Sequence, residues 1–219
     1  MVREELAVQL LKVEACKVLK TSYERGWIST RDGNISIRED GQNFQISPSG
    51  TRKHSLRPEE FVLIGTSGLA GQAQPSGELE LHRRVQALLP VGWTTVLHLH
   101  PTYAVAALYA GYRLADLAAD FPEVSRYTRV GADVPALPAT SASLAQATDE
   151  VFQSGDKLPH IVGLDRHGIV AIGRDPWDAF EHVESLEHIC KIVLSAAAAP
   201  SPRAPTGAAG TAGADLVAA

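Results

Sequence analysis

Ala7, Leu11, Ala15 and Val18 recur at the four- and three-residue spacing of one helical face, with Leu10 and Leu19 alongside. They predict a helix over residues 3–24 that packs on a sheet. Gly26 ends it, and Trp27 to Ser29 leads into the turn-rich Arg31-Asp32-Gly33-Asn34, after which Ile35 and Ile37 alternate with polar residues as in a strand. Gly41 marks a hairpin into a second short strand carrying Phe44 and Ile46, and Ser47-Pro48-Ser49-Gly50-Thr51 follows as a tight loop. One helical turn over 56–60 and a continuous apolar strand over 61–64 precede another hairpin tip at 65–71.

Pro75-Ser76-Gly77-Glu78 opens a helix with Ser76 as the expected N-cap and Leu81, Val85, Leu88 and Leu89 as its buried face, stopped by Pro90 and Gly92. Residues 94–100 read as a strand by β-branched content and alternation. Pro101 ends it and opens a helix over 103–109 that Gly111 closes. Residues 114–140 carry only short elements, and 142–153 form a helix. Apolar, strand-like runs at 160–165 and 168–172 surround the turn Arg166-His167-Gly168. Asp175-Pro176, an acid at the N-cap followed by proline, starts a last helix whose buried stripe is Ala179, Val183, Leu186, Cys190 and Val193. Residues 195–219 are rich in Ala, Pro and Gly and are expected to be a disordered tail, because they cannot offset an ordering cost of about 1–2 kcal/mol per residue. The expectation is one folded domain over 1–194, with helices and strands mixed and no internal repeat.

Composition narrows the classes. The 219 residues carry 20 Lys+Arg against 25 Asp+Glu, a formal charge of −5, with 45% hydrophobic positions. This excludes collagen, coiled coil and wholly disordered chains. The mild acidity gives no reason to expect nucleic acid, whose binders carry a basic excess. No membrane span is expected, since the most apolar stretch, 94–111, is broken by His98, His100 and Pro101 before reaching about 20 residues. The N-terminus lacks the pattern of a secretory signal, which favours a cytoplasmic location. With only Cys16 and Cys190, both in helical apolar patterns, neither a disulfide framework nor a cysteine zinc site can be built. A metal would have to be held by some of the eight histidines and by carboxylates.

His98 and His100, two apart on a strand, project from one side with Leu97 and Leu99 on the other. They are either a metal arm or two satisfied polar residues at a strand end. His167 sits in a glycine-closed turn, either aimed at a pocket or simply on the surface. Glu78 lies in the first turn of a helix, where the dipole stabilises a negative charge by about 0.3–1 kcal/mol, so it is a ligand or merely dipole-favoured. Three histidines and one glutamate would suit Zn²⁺, with the carboxylate displaceable by substrate oxygens. His82, four residues from Glu78, is a competing ligand, although Arg83 and Arg84 beside it fit an exposed face. His54, His182 and His188 are expected to be solvated, and His160 stays open. The turns Gly33-Asn34, Ser49-Gly50 and Ser76-Gly77 offer backbone N–H groups to an anion.

Together, Asp32-Gly33-Asn34-Ile35-Ser36-Ile37-Arg38, Ser47-Pro48-Ser49-Gly50, Pro75-Ser76-Gly77-Glu78, His98-Leu99-His100 and Arg166-His167-Gly168 resemble, in order and spacing, the motifs of the class II aldolase/adducin family, over essentially all of residues 1–194. The resemblance implies a single three-layer α/β/α domain with a central mixed, mostly antiparallel sheet, and a homotetramer with active sites at subunit interfaces. It further implies a lyase acting on a small phosphorylated ketose, with Zn²⁺ or another divalent metal on His98, His100 and His167 and with Glu78 as mobile ligand and general base and acid. Asn34, Ser49, Gly50, Ser76 and Gly77 would hold the substrate phosphate, although Gly77 stands where the family usually has a second serine. Tyr127 is the nearest candidate for a tyrosine contributed by a partner subunit. A metal-dependent decarboxylase, epimerase or dehydratase is the alternative within the family, with Glu78 rather than aspartate leaning away from the epimerase. An adducin-like binding domain has no use for an intact ligand set. An acidic chain that binds phosphate would draw its positive potential from the metal and from backbone N–H groups.

Overall fold

Alternation along three neighbouring strands sorts the core into two layers. The computed structural model describes residues 2–199 except 42, 66, 67, 71 and 72. Its strands are β1 Asn34–Asp40, β2 Asn43–Ile46, β3 Val62–Gly65, β4 Gly68–Ala70, β5 Thr95–Leu99, β6 Ile161–Leu164 and β7 Gly168–Gly173. Its helices are α1 Val2–Glu24, α2 Leu79–Leu88, α3 Thr102–Tyr109, α4 Leu114–Ala119, α5 Pro122–Tyr127, α6 Ala142–Gln153 and α7 Pro176–Ala198. The strands form one sheet in the order β4-β3-β2-β1-β5-β7-β6. Among the described residues every ladder is antiparallel, and only the isolated bridges Val130–Ile161 and Val134–Leu164 are parallel.

On one face Ile35 and Ile37, Leu97 and Leu99, and Ile169 and Ala171 pack against α1, α3 and α7. On the other, Val96, Val162, Val170 and Ile172 meet Leu81 and Val85 of α2, Leu89 at its C-cap, and Leu144 and Phe152 of α6. The period-2 strand pattern thus gives the three layers that the motifs implied. Phe44, Ile46, Val62 and Ile64 make a smaller cluster under Leu79. Asp175 caps α7 as expected, accepting from the N–H groups of Trp177 and Asp178 at 2.9 Å each. An alanine there would cost about 1 kcal/mol.

Several expectations need correction. Burial in α1 concentrates in its C-terminal half at Ala15, Val18 and Leu19, while Ala7 and Leu10 of the expected stripe are exposed. Helix α7 runs four residues past the expected boundary at 194, because alanines extend a helix at little entropic cost. Residues 200–219 of the expected tail lie outside the described residues. Two short 3₁₀ turns, Lys53–Ser55 and Pro58–Glu60, replace the single turn read at 56–60. Cys190 is buried and Cys16 half-buried, and burial pushes both thiols up to about 12, favouring the protonated form. No helix among the described residues is long and apolar enough to cross a membrane.

The histidines expected to be solvated divide. His188 is exposed, but His54 is half-buried against Tyr23, with ring centroids 4.6 Å apart. His182 is buried: its ring stacks on His160 at 4.5 Å, and its Nδ1 lies 2.8 Å from Thr128 Oγ1. Burial first, then the neighbouring His160, pull its pKa down to about 4. As pH falls below about 6.5, the unfolded chain takes up a proton that the folded His182 refuses, so stability declines by up to about 1.4 kcal/mol per pH unit until about pH 4. We predict that denaturant unfolding at pH 7 and pH 5 will show a larger acid loss, by about 1–2 kcal/mol, in the wild type than in His182→Gln. Equal losses would contradict this.

Candidate metal centre

Register brings the motif residues together. In the β1–β5 ladder Asn34 stands opposite His98, and in the β5–β7 ladder Leu99 stands opposite Ile169. The β6–β7 turn, with Arg166 at φ 56°, therefore folds over the C-terminal end of β5 and carries His167 to the two histidines there. Gly168 makes the closure possible. A Cβ at that position would lie 2.4 Å from Leu99 O and 2.6 Å from His100 Cδ2. Gly33, at φ +71°, is equally constrained, since a Cβ there would meet the Ile28 side chain at 2.5 Å.

The three imidazoles converge, with ring centroids 4.8 Å, 4.8 Å and 5.2 Å apart. One nitrogen from each falls within 4.8 Å of the others. His98 Nδ1 lies 2.9 Å from the carbonyl of Ile169, and His100 Nδ1 lies 3.3 Å from an Asp32 carboxylate oxygen. Both partners only accept, so each Nδ1 carries the proton and donates it. Each Nε2 is then a bare lone pair, and the two Nε2 atoms face one another at 2.9 Å. Without a cation between them that contact is repulsive, so the donor set fits a divalent metal. Burial lowers the pKa of all three rings, that of His167 to about 4, which keeps them in the neutral, coordinating form.

Glu78 stands beside this cluster. Its buried carboxylate accepts the Thr140 N–H at 3.1 Å, lies 3.8 Å from His167 Nε2, and has its pKa pushed up by burial. The N-cap position of α2 is Glu78 itself rather than Ser76, whose Oγ accepts the Glu78 N–H at 3.2 Å. Thr140 went unnoticed in sequence because it ends a stretch without periodicity. Its left-handed backbone, φ 59°, costs about 1–2 kcal/mol for a residue with a Cβ and turns its N–H toward Glu78. A Cβ at Gly77 would lie 2.9 Å from the Thr140 methyl, so any larger residue there would have to displace Thr140.

His82 is neither exposed nor a ligand, because both its nitrogens are engaged. Buried and neutral, with burial holding its pKa down to about 3, it closes a polar chain beneath α2. Gln86 Nε2 donates to Ser36 Oγ at 2.9 Å, Ser36 Oγ donates to His82 Nδ1 at 2.7 Å, and His82 Nε2 donates to Asn34 Oδ1. With its carbonyl oxygen taken, Asn34 keeps its amide N–H₂ for the cavity it lines. That cavity, about 230 Å³, also includes Ser49, Ser76, Gly77, Glu78 and the three histidines. Gly50 is exposed beside Ser49 and is not part of the wall. Tyr127, 62% exposed at the end of α5, lies outside the cavity of its own chain. Lys53, missed in sequence because it lies in an unpatterned loop, is part of the wall. A larger concavity of about 650 Å³ near Arg25 and Lys191 lies on the helical face and includes none of these groups.

A helix-flanked antiparallel sheet with three converging histidines and a buried glutamate at the end of its interior strand β5 defines a metal-dependent α/β enzyme. Residues 13–194 match the class II aldolase and adducin N-terminal domain, and the chain belongs to that family, whose enzymes are lyases. Its relatives include an L-fuculose phosphate aldolase of Methanococcus maripaludis, 26% identical, with 82% of this chain and 93% of the relative covered. A methylthioribulose-1-phosphate dehydratase of Methylococcus capsulatus is 30% identical, over 75% and 83%. A 3-oxo-tetronate 4-phosphate decarboxylase of Haemophilus influenzae is 29% identical, over 88% and 87%. Among solved structures, an L-fuculose-1-phosphate aldolase of Thermus thermophilus superposes with a TM-score of 0.72 at 25% identity, covering 88% of this chain and 98% of the other.

Asp32 orients His100, and partners of this kind are worth about 10–100-fold in metal affinity. We predict that Asp32→Asn will weaken divalent-metal binding by about that factor in a chelator competition, with no loss of fold by circular dichroism. An unchanged affinity would mean that the carboxylate does not hold the ring.

Proposed function

We propose that the chain is a zinc-dependent aldolase that cleaves a small ketose 1-phosphate between C3 and C4 to dihydroxyacetone phosphate and an aldehyde. The observation that carries this is the pair of opposed His98 and His100 lone pairs beside a buried carboxylate, the donor set for a cation with a base at its side. His98, His100 and His167 would hold the metal, with Glu78 as a displaceable fourth ligand. When bound, a divalent cation supplies a Lewis acid for the carbonyl and for the charge that develops beside it.

As C3–C4 breaks, the C4 hydroxyl gives its proton to the Glu78 carboxylate and becomes the aldehyde carbonyl, and the bonding electron pair stays on C3, conjugated with the C2 carbonyl. Glu78 then delivers a proton to C3, and in the reverse direction removes it. Burial raises its pKa toward the working range of a general acid and base. Asn34, Ser49, Ser76 and the Gly77 backbone, all in the cavity wall, anchor the phosphate, the non-reacting end, and so supply orientation. Tyr127, exposed in its own chain, is available to a neighbouring subunit's site in the homotetramer that belongs to this proposal.

A dehydratase is the second reading, favoured by the 30% identity to the dehydratase relative. The same base at C3 would then drive loss of the C4 hydroxyl instead of carbon–carbon cleavage. An adducin-like binding role would leave the histidines and Glu78 without purpose.

The test is exchange at C3 of dihydroxyacetone phosphate in D₂O, together with a cleavage screen across ketose 1-phosphates. We predict metal-dependent exchange that Glu78→Gln reduces by about 10²–10⁴-fold, as expected for loss of a general base. Exchange no faster than in that variant, or a dehydrated product without aldehyde, would overturn the aldolase assignment.

A further inference from the structure

Lys53 is among the largest fully buried side chains of the protein, at 2% exposure. The 3₁₀ turn Lys53–Ser55 brings it beneath the 47–51 loop, where the Lys53 N–H donates to Thr30 O at 2.9 Å. Its Nζ donates to Pro48 O at 2.8 Å and makes longer contacts to Thr51 Oγ1 at 3.3 Å and Thr51 O at 3.5 Å. All these acceptors are neutral, and none of the ion pairs among the described residues includes Lys53. Asp32, whose charge reaches it, directs its two oxygens to Ser29 N–H and His100 Nδ1. A buried ammonium with no counter-ion is costly and lasts only where something compensates it. Burial pulls its pKa down while Asp32 pulls it up, as expected for a cation short of partners.

The position of this charge suggests what compensates it. Pro48 and Thr51 bracket Ser49-Gly50, so the ammonium clamps both ends of the loop that offers its hydroxyl and N–H groups to an anion. Lys53 shares its cavity with Asn34, Ser49 and Ser76, whereas Arg31, the other cation of that wall, is exposed and screened by solvent. We propose that Lys53 is the countercharge of the substrate's phosphate, held under the 48–51 loop by neutral oxygens so that a dianion supplies the negative charge they lack and phosphorylated ketoses are selected over neutral ones. The inference rests on the phosphorylated-substrate reading above. It also adds a source to the positive potential expected from metal and backbone alone.

The metal-loaded protein is titrated with inorganic phosphate by calorimetry, as wild type, Lys53→Met and Lys53→Arg. Loss of a charge-assisted hydrogen bond corresponds to a weakening on the order of tenfold to a hundredfold in Lys53→Met, with metal stoichiometry unchanged and Lys53→Arg restoring much of the affinity. A lysine acting only as a loop clip would not itself sense the anion. The ¹³Cε signal of Lys53 in the labelled wild type, assigned by its absence in Lys53→Arg, should therefore move with phosphate and saturate at the calorimetric Kd. That measurement decides the case even if Lys53→Met fails to fold. Wild-type phosphate binding with an unmoved Lys53 signal, or with full affinity in folded Lys53→Met, would overturn the proposal and leave the phosphorylated-substrate reading standing. No phosphate binding by the wild type would overturn both.

Discussion

Two imidazole lone pairs aimed at one another across 2.9 Å are the constraint on which the site depends. They arise because both Nδ1 protons are committed elsewhere, His98's to a strand carbonyl and His100's to Asp32. The sheet register supplies the first of these partners and the loop before β1 supplies the second. A third loop must then close over the rings, and it can do so only because Gly168 has no side chain to strike Leu99 or His100. Hydrophobic alternation in β1, β5 and β7 thus has a chemical consequence. It places Leu97 and Leu99 in one core and frees the opposite face for His98.

On the face turned to α2, apolar packing and a buried polar chain act together. Leu81, Val85 and Leu89 hold α2 on the sheet, each worth about 1.5–3 kcal/mol when buried. His82 and Gln86 lie on the same side of the helix, His82 with both nitrogens paired to Ser36 and Asn34 and Gln86 donating its amide N–H₂ to Ser36. Since an unpaired buried donor or acceptor costs about 1–3 kcal/mol, this chain fixes the position of α2 more sharply than apolar packing alone. It thereby sets Glu78 at the start of the helix and the Asn34 amide at the cavity within one connected framework.

Much of this was legible in the sequence. Strand alternation located β1 and β5, an apolar run located β7, the Asp-Pro pair located the start of α7, and the paired histidines, the glycine-closed turn and the Pro-Ser-Gly-Glu segment marked the residues that converge. Local pattern could not reveal burial set by distant partners. His82, followed by Arg83 and Arg84, reads as exposed, yet it lies under α2 against β1, and His182 among charged neighbours stacks on a residue from the β6 edge. Lys53 and Thr140 carried no signal because their roles come from loop geometry, a clamp on the 48–51 loop and a left-handed N–H on Glu78.

The central claim is that His98, His100 and His167 together hold one divalent cation with Glu78 at its side. X-ray absorption on the zinc-loaded protein measures this most directly. The account predicts one zinc per chain with three imidazole nitrogens at about 2.0–2.1 Å. No bound zinc, or fewer than three imidazoles around it, would contradict it.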